Sequence, residues 1–178
     1  MESIEFTRVE KNYNRLQNFM ELWLQYMHEI GDKRDDDKIL GHANKIIEIQ
    51  EQKQAENKVY NIELCIQDEN IIGFCFYSIV EIKYQKDTEY GLIIKPLVDY
   101  NDYGYILEYY INPKYRLKGY GKIMFYRIKE KFEKNNIKKI VLTPNVNTKA
   151  KHFWEKIGFK NSGGVDPTND LPIFINEI

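Results

Sequence analysis

The sequence has little of what disulfide-bonded and metal-binding proteins are built from. Only two cysteines, Cys65 and Cys75, occur among its 178 residues, and neither has the C-x-x-C or histidine spacing of a zinc site. Both cysteines stand in apolar, strand-like runs, so we expect small buried side chains rather than a disulfide or a catalytic thiol. The three histidines, His28, His42 and His152, are scattered, and we therefore predict no metal site.

Long apolar runs and an excess of either charge are also missing. No stretch approaches the ~18 consecutive apolar residues of a membrane helix, and residues 1–5 lack the parts of a signal peptide. We therefore expect a cytoplasmic protein with no membrane partner. The chain has 26 basic and 27 acidic residues, so no global positive field would recruit nucleic acid. With 43% hydrophobic residues, one domain over residues 1–178 can bury a substantial core.

The most distinctive segment that is present reads R-L-K-G-Y-G, at residues 116–121. It follows a strand-like run, Tyr105 to Ile111, and it leads into an amphipathic helix. Gly119 and Gly121 permit a tight turn and a close approach to a ligand. The first turn of the helix adds unpaired amides and the positive end of the helix dipole, and Lys122 adds a cation. The segment therefore predicts a phosphate-binding loop.

The pattern R-x-x-G-x-G differs from two common phosphate-binding fingerprints. A dinucleotide site would need Gly or Ala at Met124, and a P-loop would need Gly-Lys followed by Ser or Thr. The segment instead resembles the acetyl-CoA motif of the GNAT superfamily of N-acetyltransferases. A second stretch, N-x-x-A-x-x-F-W-E-K-x-G-F at residues 147–159, resembles a later helix of that family. An ordinary strand-to-helix turn would explain the glycines, but it would not explain this second match in register.

The resemblance implies a single-domain α/β fold with a mixed, mostly antiparallel twisted sheet of six to seven strands and about four helices.

The charged run from Asp32 to Lys38 should form a solvated turn. The segment from Tyr84 to Tyr103 is either a lid with an aromatic, acidic wall or an extended hairpin with a solvated tip. Periodicity predicts strands at 3–9, 59–67, 71–81, 105–111 and 138–143 and two strands within 159–178, with helices at 12–30, 39–55, after the glycine loop and at 147–157.

The resemblance also implies acetyl-CoA as co-substrate and assigns residues to it. The pantetheine arm would follow Ile106 to Asn112, where the amides near Tyr110 and Ile111 would grip the arm and polarise the thioester carbonyl. The loop amides would hold the pyrophosphate, while Arg116 would either contact phosphate or pin the loop through backbone carbonyls. The predicted cofactor-binding residues are Tyr110, Ile111, Arg116, Leu117, Lys118, Gly119, Tyr120, Gly121, Lys122, Asn147, Phe153 and Trp154.

Acetyl transfer needs a base, because an alkylammonium group has a pKa of about 10. Glu108 lies on the predicted cofactor strand, where many relatives have an acidic residue facing the substrate, and we predict it as general base through a water molecule. The alternative is a carboxylate that points to solvent. Trp154 stands where many relatives have a proton-donating tyrosine, and an indole cannot supply a proton. Either the thiolate leaves without an acid, or Tyr109 or Tyr110 substitutes, or catalysis is weak. The predicted catalytic residues are Glu108 and Tyr110.

The sequence therefore predicts an acetyl-CoA-dependent N-acetyltransferase that acts on the primary amine of a small molecule by direct attack in a ternary complex. The amine would be polyamine-, aminoglycoside- or amino-acid-like. Two alternatives stay open: a non-catalytic acyl-CoA sensor, and a protein or peptide N-acetyltransferase whose acidic turn, Asp32 to Asp37, attracts a basic peptide. A C-terminal strand that closes the sheet would offer an edge for a homodimer.

Overall fold

Strands and helices alternate along the chain in the computed structural model, which describes residues 4–85, 88–145 and 149–178. Within these residues there are seven strands and five α-helices. In chain order they are β1 (Ile4–Arg8), α1 (Leu16–Glu29), α2 (Asp36–Ala55), β2 (Tyr60–Gln67), β3 (Asn70–Val80), α3 (Glu89–Leu97), β4 (Tyr103–Ile111), α4 (Tyr120–Lys134), β5 (Lys139–Leu142), α5 (Lys149–Lys156), β6 (Lys160–Val165) and β7 (Pro172–Glu177).

The strands form one sheet in the order β1-β2-β3-β4-β5-β7-β6. β1 pairs with β2, and β7 with both β5 and β6, in antiparallel fashion, whereas β4 and β5 run parallel. The predicted α/β class and mixed, mostly antiparallel sheet are therefore confirmed. The predicted hairpin between β2 and β3 is present as well, because Asp68 and Glu69 have φ of 45° and 66°, as a two-residue type I′ turn requires.

The C-terminal strand does not lie at an edge of the sheet. β7 stands between β5 and β6, so of the two C-terminal strands only β6 offers an edge, and a homodimer stays a prediction. The edge strands are β1 and β6, and the pairing of β6 with β7 shifts register between Asn161 and Val165. Such an irregularity is one way in which edge strands avoid pairing with other chains.

The chain divides into two compact units. The first comprises residues 1–77 and 108–124, and the second comprises residues 78–107 and 125–178. The assignment of residues 1–178 to one domain stays a prediction.

The core of the first unit is organised around Phe74 of β3. Its ring lies 5.7 Å from that of Phe19, 5.3 Å from Trp23 and 5.4 Å from Tyr26. These three residues of α1 follow the i, i+4, i+7 spacing of one helical face. Tyr110 of β4 adds a fourth ring, 5.8 Å from Phe74. This aromatic packing fixes α1 against the end of β4.

Both predicted N-terminal helices are present, with different boundaries. α1 begins at Leu16 rather than near residue 12, and Ile30, which we expected on its buried face, is 53% exposed. α2 begins at Asp36 and therefore includes part of the charged run predicted as a turn. Asp36 and Asp37 lie in its first turn, where the helix dipole favours negative charge.

In the second unit, the segment between β3 and β4 is not the predicted extended hairpin, while its role as a lid stays a prediction. It contains a 3₁₀ turn, Ile82–Gln85, and the helix α3, whose Ile94 packs in a buried cluster with Val98, Tyr103, Val141 and Ile173. Tyr103 is buried and Tyr90 half-buried, while Tyr84 and Tyr100 are exposed. The aromatic wall is therefore wrong, because its tyrosines are split between core and solvent.

Candidate functional site

The loop between β4 and α4 has a specific backbone shape. Asn112 caps a 3₁₀ turn at Pro113–Tyr115, with its Oδ1 accepting from the Lys114 amide at 3.1 Å. Leu117 then adopts φ of 63° and Gly119 φ of 90°, two left-handed residues that reverse the chain before α4 begins. A side chain at Gly119 would meet nothing within 4 Å, so its backbone conformation, rather than space, favours glycine there.

This shape leaves backbone donors without acceptors. The Ile123 amide of α4 reaches back one turn, to the Gly119 carbonyl at 3.1 Å, whereas the earliest amides of a helix have no carbonyl one turn back within the helix. Among the described residues, no acceptor pairs with the amides of Leu117, Lys118, Gly119 and Gly121. Exposed amides at the positive end of a 15-residue helix fit an anion such as a diphosphate.

Lysine side chains add positive charge beside these amides. Lys114, Lys118 and Lys122 are exposed, and Lys118 Nζ lies 5.5 Å from the Tyr115 ring centre. Within the described part of the chain, neither Lys114 nor Lys118 has a carboxylate within ion-pair distance. The loop therefore combines amide donors with two lysines, Lys114 and Lys118, that no carboxylate among the described residues neutralises.

Arg116 is bonded within the protein. Its Nε donates to the Ile111 carbonyl at 2.8 Å, and its Nη1 and Nη2 reach the two carboxylate oxygens of Glu29 at 2.7 and 2.9 Å. The guanidinium also lies 5.2 Å from the Tyr110 ring centre. Of the two predicted roles for Arg116, this geometry favours pinning the loop through a backbone carbonyl.

Glu108 is half-buried on β4 and accepts a hydrogen bond from the Tyr26 hydroxyl of α1. Burial raises the pKa of Glu108 from 4.5 to about 7, although the hydrogen bond from Tyr26 lowers it. Burial and the neighbouring Glu108 carboxylate also raise the pKa of the Tyr26 phenol. A carboxylate with a pKa near neutrality can gain and lose a proton at physiological pH, as a general base must.

The predicted site residues on β4 are brought together by α1, which sequence reasoning missed. Tyr26 and Glu29 are spaced i, i+3 on one helical face, and Glu108 and Tyr110 are spaced i, i+2 on one face of a strand. Tyr26 contacts Glu108, and Glu29 accepts from the Tyr110 hydroxyl at 2.9 Å. The sequence did contain one indication of this role for α1. Tyr26 is three residues after Trp23, so its hydroxyl group lies on the buried face of α1.

Both tyrosines proposed as a substitute acid donate within the protein. The Tyr109 hydroxyl bonds the Gly121 carbonyl at the start of α4, and the Tyr110 hydroxyl bonds Glu29. Burial, with the Glu29 carboxylate, raises the pKa of Tyr110 above its usual range. Tyr110 is buried, so its side chain mainly contributes to the packing between α1 and β4.

β3 and β4 approach each other closely where the cofactor arm is predicted. A side chain at Gly73 would lie 2.5 Å from the Tyr110 carbonyl oxygen and 2.6 Å from Ile111 Cδ1. The Asn112 amide continues this pairing with the Ile72 carbonyl, at 2.8 Å. On its other side, β4 pairs with β5 through Gly104 and Tyr105, and residues 106–111 extend beyond those pairs.

The remaining predicted cofactor residues lie near the C-terminal motif. Trp154 is 5% exposed and packs against Phe125, Phe153 and Phe159, with ring centres 6.1, 4.9 and 5.2 Å away. This burial in the second unit favours a packing role, and cofactor contact by Phe153 or Trp154 stays a prediction. Asn147 lies outside the described residues, so its role stays a prediction too.

Two further findings concern only the part of the chain that the structure describes. No group of three His, Cys, Asp or Glu side chains is arranged to hold a metal ion. None of its helices has the length and apolar character needed to cross a membrane.

Comparison with known proteins connects this geometry to a family. Residues 16–159 match the family model described as the acetyltransferase (GNAT) family. No curated protein matches the chain.

Solved structures have the same fold. The PaiA N-acetyltransferase from Thermoplasma acidophilum, in complex with coenzyme A, is 17% identical with a TM-score of 0.71, and the alignment covers 99% of each chain. An acetyltransferase from Streptococcus agalactiae is 18% identical with a TM-score of 0.70, over 100% of both chains. Arabidopsis thaliana NAA60, in complex with a bisubstrate analogue, is 15% identical with a TM-score of 0.64, over 99% of this chain and 98% of the other.

The family match spans the glycine loop, Glu108 and the C-terminal motif, and the fold agrees with it over the whole chain. The chain therefore belongs to the GNAT family and is an acetyl-CoA-dependent N-acetyltransferase.

Proposed function

We propose that this protein transfers the acetyl group to the primary amine of a small molecule, by direct attack in a ternary complex, with Glu108 as general base. The observation that carries the proposal is the half-buried Glu108 carboxylate, whose pKa is raised to about 7. It stands two residues before Tyr110 on the strand predicted to hold the cofactor arm. A base at this position can deprotonate an ammonium group beside the reacting carbonyl.

Each chemical requirement of the reaction has a proposed group in the first unit. Acetyl-CoA, when bound, supplies the acetyl carbon, so that a C–N bond forms as the C–S bond breaks and the products are an amide and CoA. Glu108, through a water molecule, takes the proton from the amine. The amides of Tyr110 and Ile111 are the proposed donors to the carbonyl oxygen, and such donors are worth several kcal/mol in acyl transfer.

A dedicated acid is not part of the proposal. Tyr109 and Tyr110 both donate their hydroxyls to protein acceptors, and an indole N–H, as in Trp154, cannot supply a proton. A thiol has a pKa of about 8.5 and is a tolerable leaving group without protonation.

The acidic turn gives little support to a peptide acceptor. Three of its four aspartates have hydrogen-bond partners: Arg34 holds both oxygens of Asp32, Lys38 bonds Asp35 at 2.8 Å, and His28 bonds Asp36 at 2.9 Å. A basic peptide would have to displace these partners. A small amine needs only to reach Glu108. The bisubstrate complex of the Arabidopsis relative supports a site that holds both substrates at once.

The test is a colorimetric assay of CoA thiol release over polyamines, aminoglycosides, amino acids and peptides. We expect turnover with a small amine, and a rate at least tenfold lower in Glu108→Gln, because general bases contribute about 10²- to 10⁴-fold. The matched control is Glu21→Gln, which removes the same charge from an exposed position on α1. An unchanged rate in Glu108→Gln would remove this residue from the mechanism, and turnover with peptides alone would overturn the acceptor class.

A further inference from the structure

We propose that Glu29 is a positioning residue of the cofactor site, which acts through Arg116 to hold loop 116–121 in the shape that binds the diphosphate of CoA. The inference rests on the proposed use of this loop as the cofactor site. Glu29 lies in the last turn of α1, 87 residues before Arg116 in the sequence. The glycine motif alone does not indicate its role.

The left-handed turn at Leu117 needs an anchor, because the Leu117 side chain does not provide one. Leu117 has φ of 63°, a conformation that costs a non-glycine residue free energy and that persists only where surrounding structure enforces it. Its side chain is fully exposed, at 105% of the reference area, so packing of Leu117 cannot enforce the conformation. The preceding residue, Arg116, is the nearest side chain that is tied to the rest of the protein.

Glu29 completes that anchor. The guanidinium of Arg116 and the carboxylate of Glu29 form a two-point contact at 2.7 and 2.9 Å, while Arg116 Nε holds the Ile111 carbonyl at 2.8 Å. A paired, planar contact of this kind fixes orientation as well as distance. Without Glu29, Arg116 would keep one backbone acceptor and lose the contact that sets the direction of its side chain.

The same carboxylate also accepts from the Tyr110 hydroxyl at 2.9 Å. Glu29 therefore joins the end of β4, where amides are predicted to grip the cofactor arm, to the loop, where amides are predicted to hold the diphosphate. Burial would raise the pKa of Glu29, but the hydrogen bonds from Arg116 and Tyr110 outweigh this effect and lower it. The carboxylate is charged at neutral pH, as a partner of arginine should be.

Simple electrostatics predicts the opposite effect on CoA binding. CoA is an anion, so removing a negative charge from its neighbourhood should make binding modestly tighter. If Glu29 positions the loop, its removal should make binding weaker, because the donors are no longer held in place. The sign of the change separates the two explanations.

The experiment is isothermal titration of the full chain with CoA, for the wild type and five variants. We expect Glu29→Gln to weaken CoA binding about three- to tenfold, and Glu29→Asp, which keeps the charge but shortens the reach, to weaken it as well. Glu21→Gln, the charge-matched control on the same helix, should stay within twofold of the wild type. Melting temperatures of all variants should stay within about 4 °C, because a half-exposed ion pair contributes little to stability.

Arg116→Gln, alone and combined with Glu29→Gln, tests whether the effect passes through Arg116. We expect the double variant to bind CoA no more weakly than Arg116→Gln, because the two residues act as one unit. Additive losses would overturn the proposal, as would unchanged or tighter binding in Glu29→Gln. A wild type that binds no CoA would contradict the proposed function as well, whereas normal wild-type binding with an unaffected Glu29→Gln contradicts only this inference.

Discussion

Two carboxylates on facing elements of the first unit have pKa values shifted in opposite directions, because their neighbours differ. Glu29 accepts from Arg116 and Tyr110, and its pKa lies below the usual range. Glu108 has the Tyr26 hydroxyl as its hydrogen-bond donor and no guanidinium, and burial raises its pKa to about 7. When the surroundings of two carboxylates give them different pKa values, the two groups can serve different purposes. Here one carboxylate is a structural anchor and the other can exchange protons.

At the scale of single residues, Tyr26→Phe should move the pH dependence of the reaction. The Tyr26 hydrogen bond stabilises the Glu108 carboxylate, so its loss should raise the pKa of Glu108. In the wild type, kcat/KM should rise with pH through about 7, as the base loses its proton. In Tyr26→Phe this rise should lie at higher pH, by about half a unit or more.

The measurement is a profile of kcat/KM from pH 5 to 9 for the wild type, Tyr26→Phe and the control Tyr100→Phe. Tyr100 is exposed, so its hydroxyl should not affect the profile. If Tyr26→Phe lowers kcat/KM by the same factor at every pH, Tyr26 has a purely structural role. That result would contradict the predicted coupling to Glu108.

At the scale of elements, the end of β4 depends on its fit against β3. The Tyr110 carbonyl, which a Gly73 side chain would meet at 2.5 Å, belongs to the backbone and cannot rotate away. Gly73→Ala should therefore displace β4 by at least about half an ångström, destabilise the protein by about 1–3 kcal/mol, and weaken CoA binding.

Gly41→Ala is the matched control for this substitution. Gly41 lies within α2, and an added Cβ there would meet nothing within 4 Å, so alanine should stabilise the protein by about 0.5–1 kcal/mol. Chemical denaturation and CoA titration of both variants make the comparison. Stability and CoA affinity in Gly73→Ala equal to those of the wild type would show that β4 is not held by this close contact.

Local sequence patterns were sufficient for most elements. The β4–loop–α4 unit, the β2–β3 hairpin and the C-terminal strands were predicted because their signals lie within a few residues of each other. Helix α3 was missed, although Thr88 caps it by accepting from the Gly91 amide at 2.9 Å. A glycine and a proline within its nine residues hide the helical pattern, and packing with Tyr103 and Val141 stabilises it instead.

The candidate site was predictable only on β4 and the loop. The contacts of Tyr26 with Glu108 and of Glu29 with Arg116 join residues 82 and 87 positions apart. No local pattern encodes such contacts. Tyr26 and Glu29 reach β4 and the loop because ring packing against Phe74 of β3 fixes the position of α1. This packing exists only once the sheet has assembled. The loop motif, in contrast, is encoded in six consecutive residues.

At the scale of the whole molecule, the proposed base should lower stability at the pH where it works. The pKa of Glu108 is raised from 4.5 to about 7 in the folded protein. A raised carboxyl pKa means that the folded state favours the proton, so this contribution to stability is complete below about pH 4.5. It is lost as pH rises through 7. At 1.36 kcal/mol per pKa unit, this rise in pKa corresponds to about 3 kcal/mol.

Glu108→Gln should therefore be slower as an enzyme but more stable as a protein above pH 7. Glutamine mimics the protonated carboxyl group and can still accept from Tyr26. Calorimetric melting from pH 5 to 8 should give similar temperatures for both proteins at pH 5, and an advantage of about 4–8 °C for the variant at pH 8. His42, whose pKa is lowered mainly by burial, changes stability in the opposite direction but equally in both proteins, so the difference isolates Glu108.

Parallel melting curves would mean that Glu108 has an ordinary pKa, and its assignment as the base would then lose its physical support. A widening gap would show that the charged state needed for proton transfer is maintained at the expense of stability, as expected of a functional site.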